Sequence, residues 1–327
     1  MKSVVINNSY SILSSEFLKS YIITMRPYLM FVSAITGLAG FSFGSIELSL
    51  ELFLLFSAAF LSYGFGQALT DCFQIDTDSI SSPYRPLTKG VVSKRQILFL
   101  SIAGLSYCVI VFTSFNKMNL LLGIISGLGL ATYTPFKRKW WGGPFYNSWI
   151  VGVLFLMSFL SSTPLCGPNS IKILSALSAV FFGYANFVLS GYFKDISADR
   201  LTGYNTLPVV FGRKISSIVC DVFAALTFLF SLMTIFIILI DKDFNNSFLP
   251  IIFLVIAAIV LINAQVHLHQ VTKDDEAYHS ISRVVHSYIL FLSSITFANK
   301  PEWFLILLIF YLCYFLVLKA RPAKNQI

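Results

Sequence analysis

The chain has 327 residues, 56% of them hydrophobic and only 12% charged, with a formal net charge of +8. About a quarter of a soluble chain is normally charged, so this composition excludes an ordinary water-soluble domain and leaves the bilayer as solvent for most of the surface. Lipid offers backbone amides no partners, so only α-helices and closed barrels span it, and the long apolar runs here select helices.

In chain order, a polar segment from Met1 to about Lys19 comes first. It lacks the apolar core of a signal peptide and reads as a cytoplasmic tail or interfacial segment. Ten apolar segments follow, at 21–44, 48–70, 96–114, 119–135, 147–163, 172–193, 215–240, 249–268, 282–298 and 302–319. Most approach the roughly 20 residues needed to cross hydrocarbon. This predicts an all-α polytopic membrane protein of nine to ten transmembrane helices: a cytoplasmic tail over 1–20, one transmembrane domain over 21–320, and a second cytoplasmic tail over 321–327.

Ten spans put both termini and every second loop on one side. Of the 23 Lys and Arg residues, only Lys117, Lys172, Lys242 and Lys300 fall on the other. Basic residues mark the cytoplasmic face, so the charge reads as membrane topology and not as a nucleic-acid surface. The cysteines, Cys72, Cys108, Cys166, Cys220 and Cys313, are scattered and odd in number. They imply neither a disulfide framework nor a zinc site.

Two loops on the basic side carry acids. After the second span come Thr70, Asp71, Gln74, Asp76 and Asp78, then Arg85-Pro86-Leu87. After the sixth come Lys194, Asp195, Asp199 and Arg200, then Gly203 and Thr206-Leu207-Pro208. On a helix, Asp71, Gln74 and Asp78 share a face, as do Asp195 and Asp199. Acids at membrane helix ends are costly and mark function. Two facing carboxylate clusters suit Mg²⁺, which bridges one or two carboxylates to a substrate phosphate. The cations beside them, Arg85 and Lys89, Lys194 and Arg200, are placed to take the remaining phosphate charge. Simple helix capping and surface pairing would explain one such cluster; two on one side, each followed by a Pro-containing basic loop, favour a site.

The run TDCFQIDTDSISSPYRPLTKG resembles the first signature of the UbiA-type intramembrane prenyltransferases, N-D-x-x-D-x-x-x-D followed by R-P-L. The run KDISADRLTGYNTLPVVFG resembles the second, D-x-x-x-D-R-x-x-G-x-x-T-L-P. Arg26-Pro27 and Tyr133-Thr134-Pro135-Phe136-Lys137-Arg138 match two weaker family features, and the matches run in order over about residues 20 to 215. Thr70 stands where the family has Asn, and Gln74 where it has Asp. The ungapped match therefore gives the first metal one carboxylate fewer, and a one-residue slip would bring Asp76 in.

The resemblance implies a helical bundle around a central cavity and transfer of a prenyl group from an isoprenyl diphosphate to an acceptor in the membrane. It implies Asp71, Asp78, Asp195 and Asp199 as catalytic ligands of Mg²⁺. Gln74, Arg85, Lys137, Lys194, Arg200 and Tyr133 would meet the diphosphate. The acceptor would be aromatic or otherwise lipophilic. A terpene cyclase on the same scaffold, needing no acceptor, is the alternative. Asn147 and Asn186 read as helix–helix hydrogen-bonding residues. His267, His269, His279 and His286 lack a ligand set, and the Lys273–Glu276 stretch reads as a solvated loop that can join a lid. Asp221 is expected to pair with Arg213 or Lys214.

Overall fold

A computed structural model describes residues 9–162, 170–242 and 248–321. Cys166, the loop at 243–247 and the outer ends of both predicted tails lie outside them. The described residues form thirteen α-helices and no strand.

The first apolar segment is two helices, α1 (Ser15–Met25) and α2 (Pro27–Ser42), bent by 55° at Arg26. Ser14 caps α1 through the Phe17 amide. Arg26 then adopts φ +54, the left-handed conformation that ends a helix, and Pro27 starts the next with its missing N–H at a position that needs none. α3 (Leu50–Asp71) ends within the first acidic run, and a turn separates it from the short α4 (Ile75–Ser81). α5 (Lys94–Phe115) opens with a complete capping box between Ser93 and Gln96. α6 (Met118–Lys137), α7 (Gly143–Ser162) and α8 (Ser170–Tyr192) follow, then the short α9 (Ile196–Leu201).

α10 (Leu207–Asp241) begins eight residues before the predicted seventh segment. Thr206-Leu207-Pro208, expected in a loop, is its N-terminus, and Gly212 at φ +78 kinks it. α11 (Phe248–Gln270), α12 (Tyr278–Asn299) and α13 (Phe304–Lys319) complete the chain. Among the described residues, nine helices are long and apolar enough to cross a membrane, or ten with the bent α1–α2 pair counted as one span. The ten predicted segments correspond to these in order.

Sequential neighbours pack around a ring from α2 through α3, α5, α6, α7, α8, α10 and α11 to α12, which returns to α2. α2 and α12 are deeply buried, α2 from Tyr28 to Ser42 and α12 along almost every residue from Val284 to Ala298. Without a hydrophobic drive between helices in lipid, close backbone packing carries association. At Gly40 of α2 a Cβ would lie 2.6 Å from the Phe155 carbonyl of α7, so these two backbones touch. By contrast α5, α6 and α13 leave most of their apolar surface facing outward.

Candidate active site

The bundle encloses a cavity that opens beside the two acidic loops and descends between α3, α5, α6, α7 and α8. Together with the open space of its mouth it measures about 1420 Å³. Its head is polar: Arg26, Asp71, Gln74, Asp78, Arg85, Lys137, Lys194 and Asp195 line it. Its deep part is apolar, walled by residues such as Leu105, Val109, Phe112, Gly123 and Met157. Lys137 and Gly123 both line it from α6; at 1.5 Å rise per residue, that separation is about 21 Å.

Asp71 closes α3, and Gln74 is the N-cap of α4. The turn between them means that Asp71, Gln74 and Asp78 do not share one helical face, contrary to the spacing argument; the break instead aims all three into the cavity. Arg26 donates to both oxygens of Asp71 at 2.9 and 3.0 Å, and Gln67 to one of them at 2.7 Å. Arg85 pairs with Asp78 and lies 3.9 Å from Asp71. The left-handed bend at Arg26 brings this guanidinium to the first motif. Two buried carboxylates are thus matched by two buried guanidiniums. Desolvation favours such pairing strongly over a lone buried charge, and Asp78 with Asp71 holds the Arg85 pKa above its already high ordinary value against the opposing effect of burial.

Gln74 accepts a 2.8 Å hydrogen bond from Lys137 Nζ. The same ammonium lies 5.5 Å from the Tyr192 ring and 5.4 Å from the Tyr204 ring, within cation–π range. Tyr133 and Tyr192 share a hydrogen bond of 2.9 Å. Tyr63 and Tyr184 also line the cavity, so aromatic faces surround the step from polar head to apolar tail.

Asp76 does not join the site. It pairs with Arg138 at 2.9 Å and accepts from the Tyr204 hydroxyl at 3.1 Å, with its side chain 42% exposed. Of the two candidates for the middle position, Gln74 lines the cavity and Asp76 does not.

The second motif is arranged differently. Asp195 lines the cavity, whereas Asp199 is fully buried behind it. Asp199 accepts from the Thr77 and Thr206 hydroxyls, each at 3.2 Å. The Thr77 bond ties α9 to α4, roofing the cavity. Burial raises the Asp199 pKa, opposed by Lys137. Burial also lowers that of Lys194, to about 8, with Asp195 opposing. Arg200 is exposed and does not line the cavity, so of the ten expected site residues the structure gathers eight at the wall, with Asp199 in the roof and Arg200 outside.

Sequence reasoning did not assign Arg26, Tyr63, Gln67, Tyr184 or Tyr192 to the site. A signal existed for Arg26, since a cation inside an apolar segment needs a partner. Asn186 makes the expected helix–helix bond, to Gln265 at 3.2 Å. Asp221 departs from expectation: its partner is His269 at 2.7 Å, and Arg213 instead pairs with Asp274.

Among the described residues no three Asp, Glu, His or Cys side chains converge as a ready-made metal cage. A cation shared between one or two carboxylates and a phosphate requires no such cage. Asp71, Asp78 and Asp195 supply hard oxygen donors around one cavity. The buried Arg85 Nε has no hydrogen-bond partner among the described residues, so the Arg85 guanidinium retains a donor for an anionic oxygen. The donor set is therefore compatible with a divalent cation arriving with a phosphorylated ligand.

An all-helical membrane bundle with a cavity joining acids and cations to an apolar tunnel defines an intramembrane enzyme for an amphiphilic phosphate ester. The model of the UbiA prenyltransferase family matches residues 30–295, and the chain belongs to that family. It is a prenyltransferase. A digeranylgeranylglyceryl phosphate synthase from Thermococcus kodakarensis is 28% identical over 66% of this chain and 78% of its own length. One from Pyrococcus furiosus is 24% identical over 79% and 89%. In fold, the chain is similar to the apo UbiA homolog of Aeropyrum pernix, with TM-score 0.67, 17% identity and coverage of 83% and 97%. It is also similar to a UbiA homolog from Archaeoglobus fulgidus bound to GPP and Mg²⁺, with TM-score 0.63, 19% identity and coverage of 86% and 99%. These relatives favour transfer over the cyclase alternative.

Proposed function

We propose that the protein transfers a long isoprenyl group, of about geranylgeranyl length, from its diphosphate to the hydroxyl of a phosphate-bearing amphiphile, with Mg²⁺. The carrying observation is the single cavity that joins a cation- and acid-lined head to an apolar tunnel about 21 Å deep. A geranylgeranyl chain, four isoprene units long, is of a length to fill such a tunnel. The names of the relatives from Thermococcus and Pyrococcus, synthases of a glyceryl phosphate ether, support the acceptor class. An aromatic acceptor is the competing choice.

In this reading the prenyl tail lies along Leu105, Val109 and Phe112, and the diphosphate meets Arg85, Lys137 and Lys194. Asp71 and Asp78 face Asp195 across the head and would hold Mg²⁺, with Gln74 as a neutral oxygen donor. When bound, Mg²⁺ neutralises the departing pyrophosphate. The allylic carbon–oxygen bond breaks with its electron pair leaving on pyrophosphate, a bond forms to the acceptor oxygen, and the acceptor's proton passes to the released pyrophosphate. Tyr133, Tyr184 and Tyr192 present π-faces to the positive charge on the allyl group, each contributing about 0.5–2 kcal/mol. The apolar walls below the polar head would keep water from the allyl cation. The distribution of Lys and Arg supports a cytoplasmic position for this head, both termini and the acidic loops.

The test uses purified protein with Mg²⁺ and isoprenyl diphosphates of increasing length. Each is offered with no acceptor, with a glyceryl phosphate ether, and with a phenolic quinone precursor. The expected result is acceptor-dependent pyrophosphate release and an ether product, strongest with the longest chain. Transfer only to the phenol would overturn the acceptor, and preference for the shortest diphosphate would overturn the chain length.

A further inference from the structure

The second acidic loop depends on a residue outside both motifs. α9 is six residues long, with Asp195 at its N-cap. An aspartate at that position ordinarily turns its carboxylate back onto the amide of the second or third helical residue. Asp195 does not. Its backbone, at φ −111 and ψ 6, is not the extended conformation of a capping residue, and its side chain makes no cap hydrogen bond. Its carboxylate lines the cavity.

The amide it would have capped is nevertheless satisfied. Ser197 N–H donates to Asp274 Oδ2 at 2.8 Å, across 77 residues of sequence. Asp274 opens the 3₁₀ turn between α11 and α12. Its other oxygen is held by the guanidinium of Arg213, the residue after the Gly212 kink. The turn is itself braced, because the Glu276 carboxylate accepts from the amides of Thr272 at 2.9 Å and Lys273 at 3.1 Å.

We infer that Asp274 is a positioning residue: it caps α9 in place of Asp195 and so keeps the Asp195 carboxylate turned into the cavity. A single short helix has little stability of its own, so its cap matters. Without Asp274, the ordinary acceptor for the Ser197 amide is the carboxylate of the N-cap residue, Asp195, and making that bond withdraws Asp195 from the cavity head. The capping stands on geometry alone; its consequence for turnover rests on the proposed function.

The experiment compares Asp274→Ala and Asp274→Asn with wild type, as full chains in detergent. Hydrogen exchange over 195–202 is followed without Mg²⁺. The alanine variant is expected to exchange about 5-fold faster, the usual effect of losing a cap. The asparagine variant keeps an oxygen acceptor and should remain near wild type. In turnover, the alanine variant should raise KM for the diphosphate about 10-fold, as lost supporting shells do, with kcat held within about 3-fold and asparagine restoring KM. A purely structural role would lower the active fraction, and so kcat, with KM unchanged. Unaltered exchange over 195–202 in the alanine variant overturns the inference, as does faster exchange with an unaltered KM. Absence of prenyl transfer by wild type would be a failure of the proposed function, and the metal-free exchange still decides the capping.

Discussion

The two acidic loops are built on opposite principles. The first, on α3 and α4, meets charge with charge: Arg26 and Arg85 neutralise Asp71 and Asp78 inside the protein. The second, on α9, makes its direct hydrogen bonds to Asp199 through neutral hydroxyls, with Lys137 acting on it electrostatically. Asp199 is held by two threonine hydroxyls, and the α9 amide is capped from a distance. The first loop is therefore part of what keeps the bundle folded, because breaking a buried ion pair leaves an uncompensated charge. In the second, Asp195 lines the cavity, where the proposed function gives it a cation to hold.

The sharpest way to break this contrast is to remove the same charge from each loop. Asp71→Asn leaves the buried Arg26 without its counter-charge, and a loss of about 3–5 kcal/mol in folding stability is expected. Asp195→Asn should leave the melting temperature in detergent close to wild type while lowering turnover about 100-fold or more, the scale of losing one electrostatic contact to the reacting charge. Equal destabilisation by both would show that the loops are alike. Next in size is Gln74→Asp, which adds a carboxylate where Lys137 now donates to an amide oxygen. Ligand charge tunes cation affinity, so the Mg²⁺ concentration for half-maximal turnover should fall several-fold. A Mg²⁺ titration giving an unchanged midpoint would remove Gln74 from the metal's surroundings.

A pH profile sharpens the second loop specifically. Burial raises the Asp199 pKa, so the carboxyl takes up its proton above the ordinary carboxylate range. Burial lowers that of Lys194 to about 8, so its positive charge is lost above that pH. If turnover needs Asp199 ionised and Lys194 charged, kcat/KM falls on the acid side as Asp199 protonates and on the alkaline side through about pH 8. Lys194→Arg should move the alkaline limb upward, since a guanidinium stays protonated. An alkaline limb that does not move would place the titration elsewhere.

Much of this was legible in the sequence, for physical reasons. Apolar runs of bilayer length fixed the order of the spans, and the asymmetry of Lys and Arg supported their count. Asp71, Asp78 and Asp195 were recognisable because acids at membrane helix ends are costly. What periodicity could not reveal was where helices break. The turn between Asp71 and Gln74, and the split at Arg26, replace one continuous face with convergent pieces. Nor can a local pattern find long-range partners. Nothing near Asp274 announces that it serves Ser197, and the separation of Asp195 from Asp199, one at the wall and one in the roof, follows from how α9 packs on α4.

The smallest effect belongs to the acid that the motif spacing made tempting. Asp76 lies between the two aspartates of the first loop, yet it faces Arg138 and Tyr204 at the rim. Both members of that ion pair are more than two-fifths exposed, and exposed pairs contribute about 0–1 kcal/mol. The Arg138 guanidinium also lies 4.6 Å from the Tyr204 ring, a contact that survives loss of the carboxylate. Asp76→Asn should therefore shift stability by less than about 1 kcal/mol and leave the Mg²⁺ midpoint unchanged. Its visible effect should be confined to α4 and α9, because Tyr204 joins the two acidic loops through this one acceptor. Hydrogen exchange there should quicken slightly while the rest of the protein is unaltered. A large loss of Mg²⁺ response in this variant would instead place Asp76 among the ligands and overturn the assignment of the middle position to Gln74.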